Sequence, residues 1–469
     1  MATLGNAYQS FDAKPLHAEE SDADEYRNPF QRDRDRVLYS SAFRRLAGVT
    51  QVAAVREQAL LHNRLTHSLK VAQLARSMAQ RLLTNENFTS DLEQECHPYL
   101  PDIAETAGLA HDLGHPPFGH IAEKVLNVEM EDYGGFEGNA QSFRIVTKLA
   151  SRKLNPYGLN LTRASLNSIL KYPQYRKDAS SRPLPHVKWS DRSRGRKWGA
   201  YLSEERDFDH AREQLSGAPR VEVRSVAAIL MDWADDVSFA THDLDDYYRG
   251  GLIPLNTLRR DDKEFLDFAR VRNSSGEHPL DGYNHNEFMA AYERLLRSDP
   301  PRERFEDTRD QRVRINQWIS DRIKKYVRSV ECDCSEDGAY LRVDESSQYE
   351  VEVLKTLNWY HVINKPALAV AQHGQKRIMR RLFQALFALV QDNAERIQTK
   401  SRAPVPITLQ EIYRRIIDSG IDYGSEEEIR ARAVCDYICG LTEDQTVDLY
   451  ERLTGRSVAR NSIFGAWFH

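Results

Sequence analysis

The chain is 469 residues long, with 41% hydrophobic and 29% charged residues and a formal net charge of −5, so it can bury a large core and carries none of the global basic charge of a nucleic-acid binder. Its five cysteines, Cys96, Cys332, Cys334, Cys435 and Cys439, are odd in number and scattered, which excludes a disulfide framework and points to a reducing cytoplasm. No apolar run approaches roughly 18 residues and Met1-Ala-Thr-Leu-Gly5 has no basic n-region, so neither a membrane span nor secretion is expected.

Residues 1–30 are polar and acidic without a sustained period and are expected to form a flexible arm. From Asp33 to Leu46, Val37, Leu38, Ala42, Phe43 and Leu46 recur at helical spacing with Arg34, Arg36, Arg44 and Arg45 between them, predicting an amphipathic helix with a basic face. Residues 64–83 carry one apolar stripe through Leu65, Leu69, Ala72 and Ala75 and a second through Val71, Leu74 and Met78. A helix apolar on two sides is central, and His67 shares the inward side with Val71 and Leu74. A short helix over Ile103–Asp112 must end at Gly114 and Pro116-Pro117, and another starts near Phe118 to His120. Residues 171–197 hold nine Lys or Arg against two acids, with Pro173, Pro183 and Pro185, and read as a basic loop. A third inner helix is predicted from Val223 to Tyr248, a connection at 298–307, a short hairpin within 326–353 and helices again from Leu354.

The chemistry concentrates in His111-Asp-Leu-Gly-His-Pro-Pro-Phe-Gly-His120, where imidazoles and a carboxylate crowd a small, otherwise apolar segment. Imidazole nitrogen and carboxylate oxygen suit a first-row divalent metal, and a further imidazole can move protons near neutrality. Three inner helices each deliver such groups: His67 from the first, His111 and Asp112 from the second, and Asp235 or Asp236 from the third. In that third helix Asp232, Asp235, Phe239, His242 and Asp243 fall on one side, and buried carboxylates need a cationic partner. Each signal alone has a plain structural reading, as a satisfied core histidine or a solvated acidic face. Their joint occurrence does not.

The sequence resembles the HD-domain phosphohydrolases, specifically the deoxyguanosine triphosphate triphosphohydrolase (dGTPase-like) family. The resemblance is carried by Arg34-Asp-Arg-Val-Leu-Tyr-Ser-Ser-Ala-Phe-Arg-Arg-Leu46, Thr50-Gln-Val52, Arg64-Leu-Thr-His-Ser68, the 111–120 run, Gly135-Phe-Glu-Gly-Asn-Ala-Gln141, Lys171-Tyr-Pro173, Ala234-Asp-Asp236 with Asp243, and Asp436-Tyr437. A His-Asp pair is shared by many phosphohydrolases, whereas the 111–120 run together with Phe136-Glu-Gly-Asn-Ala-Gln141 is specific. The resemblance implies an all-α fold with one short hairpin, an HD catalytic core over 31–260, and a mostly helical region over 261–469 that contributes oligomer contacts.

It further implies cleavage of a deoxynucleoside triphosphate (dNTP) to deoxynucleoside and inorganic triphosphate with a divalent cation, Mn2+ or Mg2+ or another first-row metal. The family's metal ligands fall on His67, His111, Asp112 and Asp235, the last chosen over Asp236 by the aromatic and Asp that follow it, Phe239 and Asp243. His115 would meet the α-phosphate and His120 with Glu123 would form a proton-transfer pair. Arg64, Lys171, Tyr172 and Lys197 would hold the phosphates, Gln51 and Asp243 the 3′-hydroxyl, and Phe239 would pack against C2′. Two departures stand out: Phe239 where the family has Tyr, and Gly440-Leu-Thr-Glu443 where it has Gly-Met-Thr-Asp, the second expected to affect local packing or contact with a neighbouring subunit. Family members are commonly ring-like homo-oligomers, often hexamers, and some respond to nucleotides or single-stranded DNA.

Three alternatives compete with this reading. A zinc peptidase would use His111 and His115 at i, i+4, but needs an unbroken helix that Gly114 and Pro116 deny. Another HD phosphohydrolase, a nucleotide monophosphatase or an alarmone hydrolase, would release orthophosphate or accept a ribonucleotide. A non-enzymatic nucleotide or single-strand binder would use only the basic loop.

Overall fold

The computed structural model describes residues 12–19, 24–51, 62–84, 98–152, 158–176, 197–213, 224–255, 258, 262–274, 283–301, 303–335 and 338–455. Most of the expected basic loop, residues 177–196, and much of the expected arm lie outside the described residues. The helices are α1 (Pro29–Leu38), α2 (Ser41–Arg45), α3 (Arg64–Leu82), α4 (Leu100–Ala110), α5 (His120–Glu129), α6 (Gly138–Arg144), α7 (Arg163–Ile169), α8 (Glu205–Arg212) and α9 (Val226–Arg249). They continue as α10 (Lys263–Ser274), α11 (His285–Arg297) and α12 (Arg309–Arg328), then the hairpin β1 (Val330–Ser335) and β2 (Gly338–Val343). After it come α13 (Glu345–Asn358), α14 (Pro366–Gln398), α15 (Ile407–Asp418), α16 (Glu426–Ile438) and α17 (Glu443–Leu453). The fold is all-α, and the antiparallel β1–β2 pair, in register Val330 to Val343, is its sheet among the described residues.

Local chemistry sets the boundaries. The helix expected over Asp33–Leu46 is two helices, because Ser40 is extended (ψ 150°) and its hydroxyl works on both sides of the break. Its Oγ donates to the Val37 carbonyl (2.7 Å) and accepts from the Phe43 amide (3.1 Å), closing α1 and capping α2. Asn63 starts α3 with a capping box to Thr66, which fixes the turn that presents Arg64 and His67. Gly114 lies where the loop after α4 meets α6, so tightly that a Cβ would sit 2.2 Å from the Gly138 carbonyl oxygen. Only glycine allows that approach.

Two large apolar clusters organise the helices. In the first, Val71 and Met78 of α3, Ile103 and Ala107 of α4, and Leu230, Ala234 and Val237 of α9 meet, and the cluster extends through α10–α13 to Val362. The second joins Ala122, Val125 and Leu126 of α5 to α14–α17 through residues such as Leu382, Leu409, Val434 and Leu449. A third, smaller layer with Phe43, Leu113 and Phe143 lies between the loop after α4 and helices α6–α8. The helices after residue 260 thus pack on those before it, α10–α13 on α3, α4 and α9, and α14–α17 on α5.

Polar struts join these bodies. The fully buried Arg144 guanidinium donates to both Asp436 oxygens (Nη2 to Oδ2 at 2.8 Å, Nε to Oδ1 at 3.0 Å) and to Glu204 and Tyr423, tying α6 to α16, and Gln141 Nε2 adds a bond to Asp436 (2.9 Å). Within the expected arm, His17 exchanges hydrogen bonds with Asn160 and Glu19 pairs with Arg36, so this described stretch lies against the body. Among the described residues no helix is long and apolar enough to cross a membrane.

Candidate metal and phosphohydrolase centre

α3, α4 and α9 bring His67, His111 and Asp235 to one point, their ligand atoms all within 4.8 Å of one another. His67 Nε2 is 3.1 Å and His111 Nε2 3.8 Å from Asp235 Oδ1. His111 closes α4, and its Nδ1 donates to the Gly108 carbonyl (2.7 Å), which leaves the Nε2 lone pair aimed at the group. That Nε2 is buried and makes no hydrogen bond. An orphaned imidazole nitrogen facing a second imidazole and a carboxylate is a donor set that fits a first-row divalent cation.

Asp112 adjoins this group at its edge. Its Oδ1 lies 3.4 Å from His111 Nε2 and 3.0 Å from His115 Nδ1, while Oδ2 accepts from Arg64 Nη1 (2.6 Å). Burial alone would raise its carboxyl, yet His111, His115 and Arg64 outweigh burial and hold it well below the carboxylate range. Asp235 is also held well down against burial, by Lys171, His67 and His111. Asp236 points elsewhere, pairing with Lys355 of α13 (2.6 Å), and burial pushes its carboxyl up.

The second cluster is His115, His120 and Glu123, again with candidate ligand atoms within 4.8 Å. His120 opens α5 with its side chain 65% exposed, and its Nδ1 is 2.8 Å from Glu123 Oε2. Glu123 is fixed in turn by the Gly138 amide, which donates to Oε1 (2.9 Å). Burial would raise Glu123, but the bond and charge of His120, with His115 and Lys197, hold it low and ionised. The His115 ring stands edge-on to His120 at 5.1 Å, and burial with the Arg64 charge lowers its pKa to about 4, so it is neutral.

The expected substrate groups surround these clusters to different degrees. Arg64 is almost wholly buried and spends one nitrogen on Asp112, leaving Nε and Nη2 without partners. A buried guanidinium with an idle edge is matched to phosphate oxygens. Lys171 reaches the cation group directly, its Nζ 2.6 Å from Asp232 and 3.2 Å from Asp235, and these acids raise it well above its usual value against burial. Lys197 lies over the Tyr172 ring at 5.6 Å.

Gln51 Oε1 and Asp243 Oδ2 are both buried without partners, and burial with the Asp246 charge raises the Asp243 carboxyl. Phe239 lies half-buried one turn after Asp235, its carbonyl accepting from Asn358 Nδ2 (3.3 Å). Sequence reasoning missed Lys355 and Arg224, which pair with Asp236 and Asp232. It also missed Glu137, the cap of α6, whose carboxyl burial and the Glu123 charge push up to about 7. A lone lysine in the apolar run Val353-Leu-Lys-Thr-Leu357 is the signal that marked Lys355.

The chain is similar to known families and proteins along most of its length. Residues 64–240 match the HD domain and residues 341–452 the phosphohydrolase-associated domain. The chain is 34% identical to a deoxyguanosinetriphosphate triphosphohydrolase-like protein of Streptomyces coelicolor, over 94% of this chain and 96% of that one. Proteins of the same description from Corynebacterium efficiens (31%, covering 96% and 98%) and Shewanella sediminis (29%, covering 93% and 94%) are similar along nearly their whole length.

Proposed function

Because the chain belongs to the deoxyguanosinetriphosphate triphosphohydrolase-like family of HD-domain phosphohydrolases, we propose that it hydrolyses dNTPs, dGTP or several of them, at the α-phosphorus to deoxynucleoside and inorganic triphosphate. The observation that carries this reading is Asp112, which adjoins the cation group through His111, takes the phosphate-matched Arg64 through its other oxygen, and borders the proton-transfer cluster through His115. A divalent cation, Mn2+ or Mg2+, would be held by His67, His111, Asp112 and Asp235 and supplies Lewis-acid withdrawal of charge from a phosphoryl oxygen and a more acidic water.

The chain's own groups do the rest. The free Arg64 edge and neutral His115 meet the α-phosphoryl oxygens, while Lys171 and the Tyr172–Lys197 pair take the outer phosphates. Attack by water forms one P–O bond and breaks the bond to O5′, which must leave with a proton. His120 holds Nδ1 against ionised Glu123, so its Nε2 is the atom that gains and returns a proton, and the carboxylate steadies the cationic ring. Gln51 and Asp243 offer unpaired oxygens to the 3′-hydroxyl. Phe239 leaves a 2′-hydroxyl no partner, disfavouring ribonucleotides.

The assembly we propose is the family's homo-oligomeric ring, the hexamer first, with nucleotides or single-stranded DNA as candidate effectors. Incubation with Mn2+ or Mg2+ and each dNTP, followed by product separation, tests the activity. Tripolyphosphate is the expected product; orthophosphate, pyrophosphate or faster turnover of ribonucleotides overturns the reading.

A further inference from the structure

The C-terminal region reaches the centre through one carboxylate. Glu443 is the first residue of α17, a position where an acid ordinarily serves its own helix. That helix is already capped by Thr442 and Gln445, and the Glu443 side chain turns outward to the catalytic half. It accepts from the Thr50 amide (2.8 Å), the Thr50 hydroxyl (2.7 Å) and the Phe118 amide (3.2 Å).

Both partners precede residues of the site. Thr50 bridges to Asn63, the cap of α3, and is followed by Gln51. Phe118 (φ 67°) and Gly119 (φ 56°) form a left-handed pair immediately before His120, and α5 has no side-chain cap of its own. Left-handed backbone at a non-glycine residue costs roughly 1–2 kcal/mol and persists only where its surroundings hold it. The positive φ at 119 favours glycine there, and a Cβ would come 2.7 Å from Arg64 Nη2 and push that side chain aside. A parallel strut supports the same loop: buried Arg45 donates to the Leu441, Leu113 and His115 carbonyls (2.7, 3.2 and 2.7 Å).

We infer that Glu443 is a positioning residue: by holding Thr50 and Phe118 with one carboxylate it sets the spacing between the sugar end of the site at Gln51 and the proton-transfer end at His120. The inference rests on the proposed dNTP hydrolysis for its kinetic readout only. Glu443→Gln keeps the shape but removes the negative charge that strengthens the hold on both backbone amides, and at the Thr50 hydroxyl it donates where the carboxylate accepted. With dNTP substrate its kcat falls about 30-fold with KM within about threefold, as expected for a sub-ångström misplacement. The melting temperature and bound-metal stoichiometry stay at wild-type values. Glu443→Asp, which keeps the charge, recovers most of the lost kcat.

Amide hydrogen exchange supplies the readout independent of turnover. Residues 113–120 should exchange about tenfold faster in Glu443→Gln than in the wild type. Wild-type protein that releases no tripolyphosphate defeats the proposed function and leaves the exchange measurement to decide the inference. Wild-type exchange in Glu443→Gln, or a loss of kcat that only follows a loss of folded protein, overturns it.

Discussion

The two halves of the centre are built on different foundations. The cation group hangs from α3, α4 and α9, three helices that pack directly on one another, and its groups are buried or nearly so. The His120–Glu123 pair, proposed to transfer protons, sits at the uncapped start of α5, which packs against α14–α17, and His120 is mostly exposed. A cation needs several donors held rigidly at one point, whereas a group that moves protons needs access and one orienting partner. The chain supplies the first from its long periodic helices α3 and α9 with α4, and the second from a loop steadied across the molecule. On the proposed roles, binding metal and turning over substrate should therefore be separable by mutation.

The largest effects break the comparison outright. Asp235→Ala removes the carboxylate common to both imidazole contacts and should lose bound metal and activity together. His120→Ala should keep its metal and lose about 10²–10⁴-fold in kcat, the range for a removed general acid–base. Metal content of the purified variants, measured beside tripolyphosphate release, checks both. Two fully active variants would show that neither cluster has the role given to it.

Next comes the strut between the halves. Asp436→Ala leaves the Arg144 guanidinium, 1% exposed, with only Glu204 to balance it. Breaking a buried pair from one side costs about 3–5 kcal/mol. Urea unfolding should register a loss of that order, and an early transition confined to the α5 and α14–α17 cluster would sharpen the division. A variant as stable as the wild type would show that Arg144–Asp436 is not what joins the halves.

Much of the first half is legible in the sequence because its helices are long and periodic: α3 and α9 fall within a few residues of expectation, and so does the hairpin. The break at Ser40 is not, since its hydroxyl competes for backbone groups only once the chain bends. Nor is Arg45, read as part of a basic face: it is buried against carbonyls, one of them 396 residues away. Glu443 is visible only as a departure from a family pattern. Long-range struts leave no local period, so what spacing cannot reveal in this site is how its second half is held.

Sugar selection should give a smaller effect. Phe239→Ala removes the ring beside Asp235 and Asp243 on α9, and should narrow the preference for dNTPs over ribonucleotides by about tenfold, in line with the modest discrimination an apolar contact provides. Phe239→Tyr restores the family hydroxyl and should keep the preference. Comparing kcat/KM for each deoxy and ribo pair decides it. An unchanged ratio in Phe239→Ala would place the sugar elsewhere.

The smallest effect is a pH dependence of stability at the seam. Glu137 caps α6 with its carboxyl group against the Asn139 and Ala140 amides, and burial beside ionised Glu123 pushes its pKa up to about 7 from the ordinary 4.5. Between those values the folded chain holds a proton that the unfolded chain releases, so raising the pH disfavours the fold across this window. The contribution is complete below about 4.5, declines as pH rises and is flat above about 7. Glu137→Gln has no such proton. The melting temperature of the wild type relative to Glu137→Gln should therefore fall from pH 5 to pH 7.5, about as the linkage slope requires. A difference that is constant with pH would mean that Glu137 is ionised in the fold throughout, with Lys197 compensating the Glu123 charge.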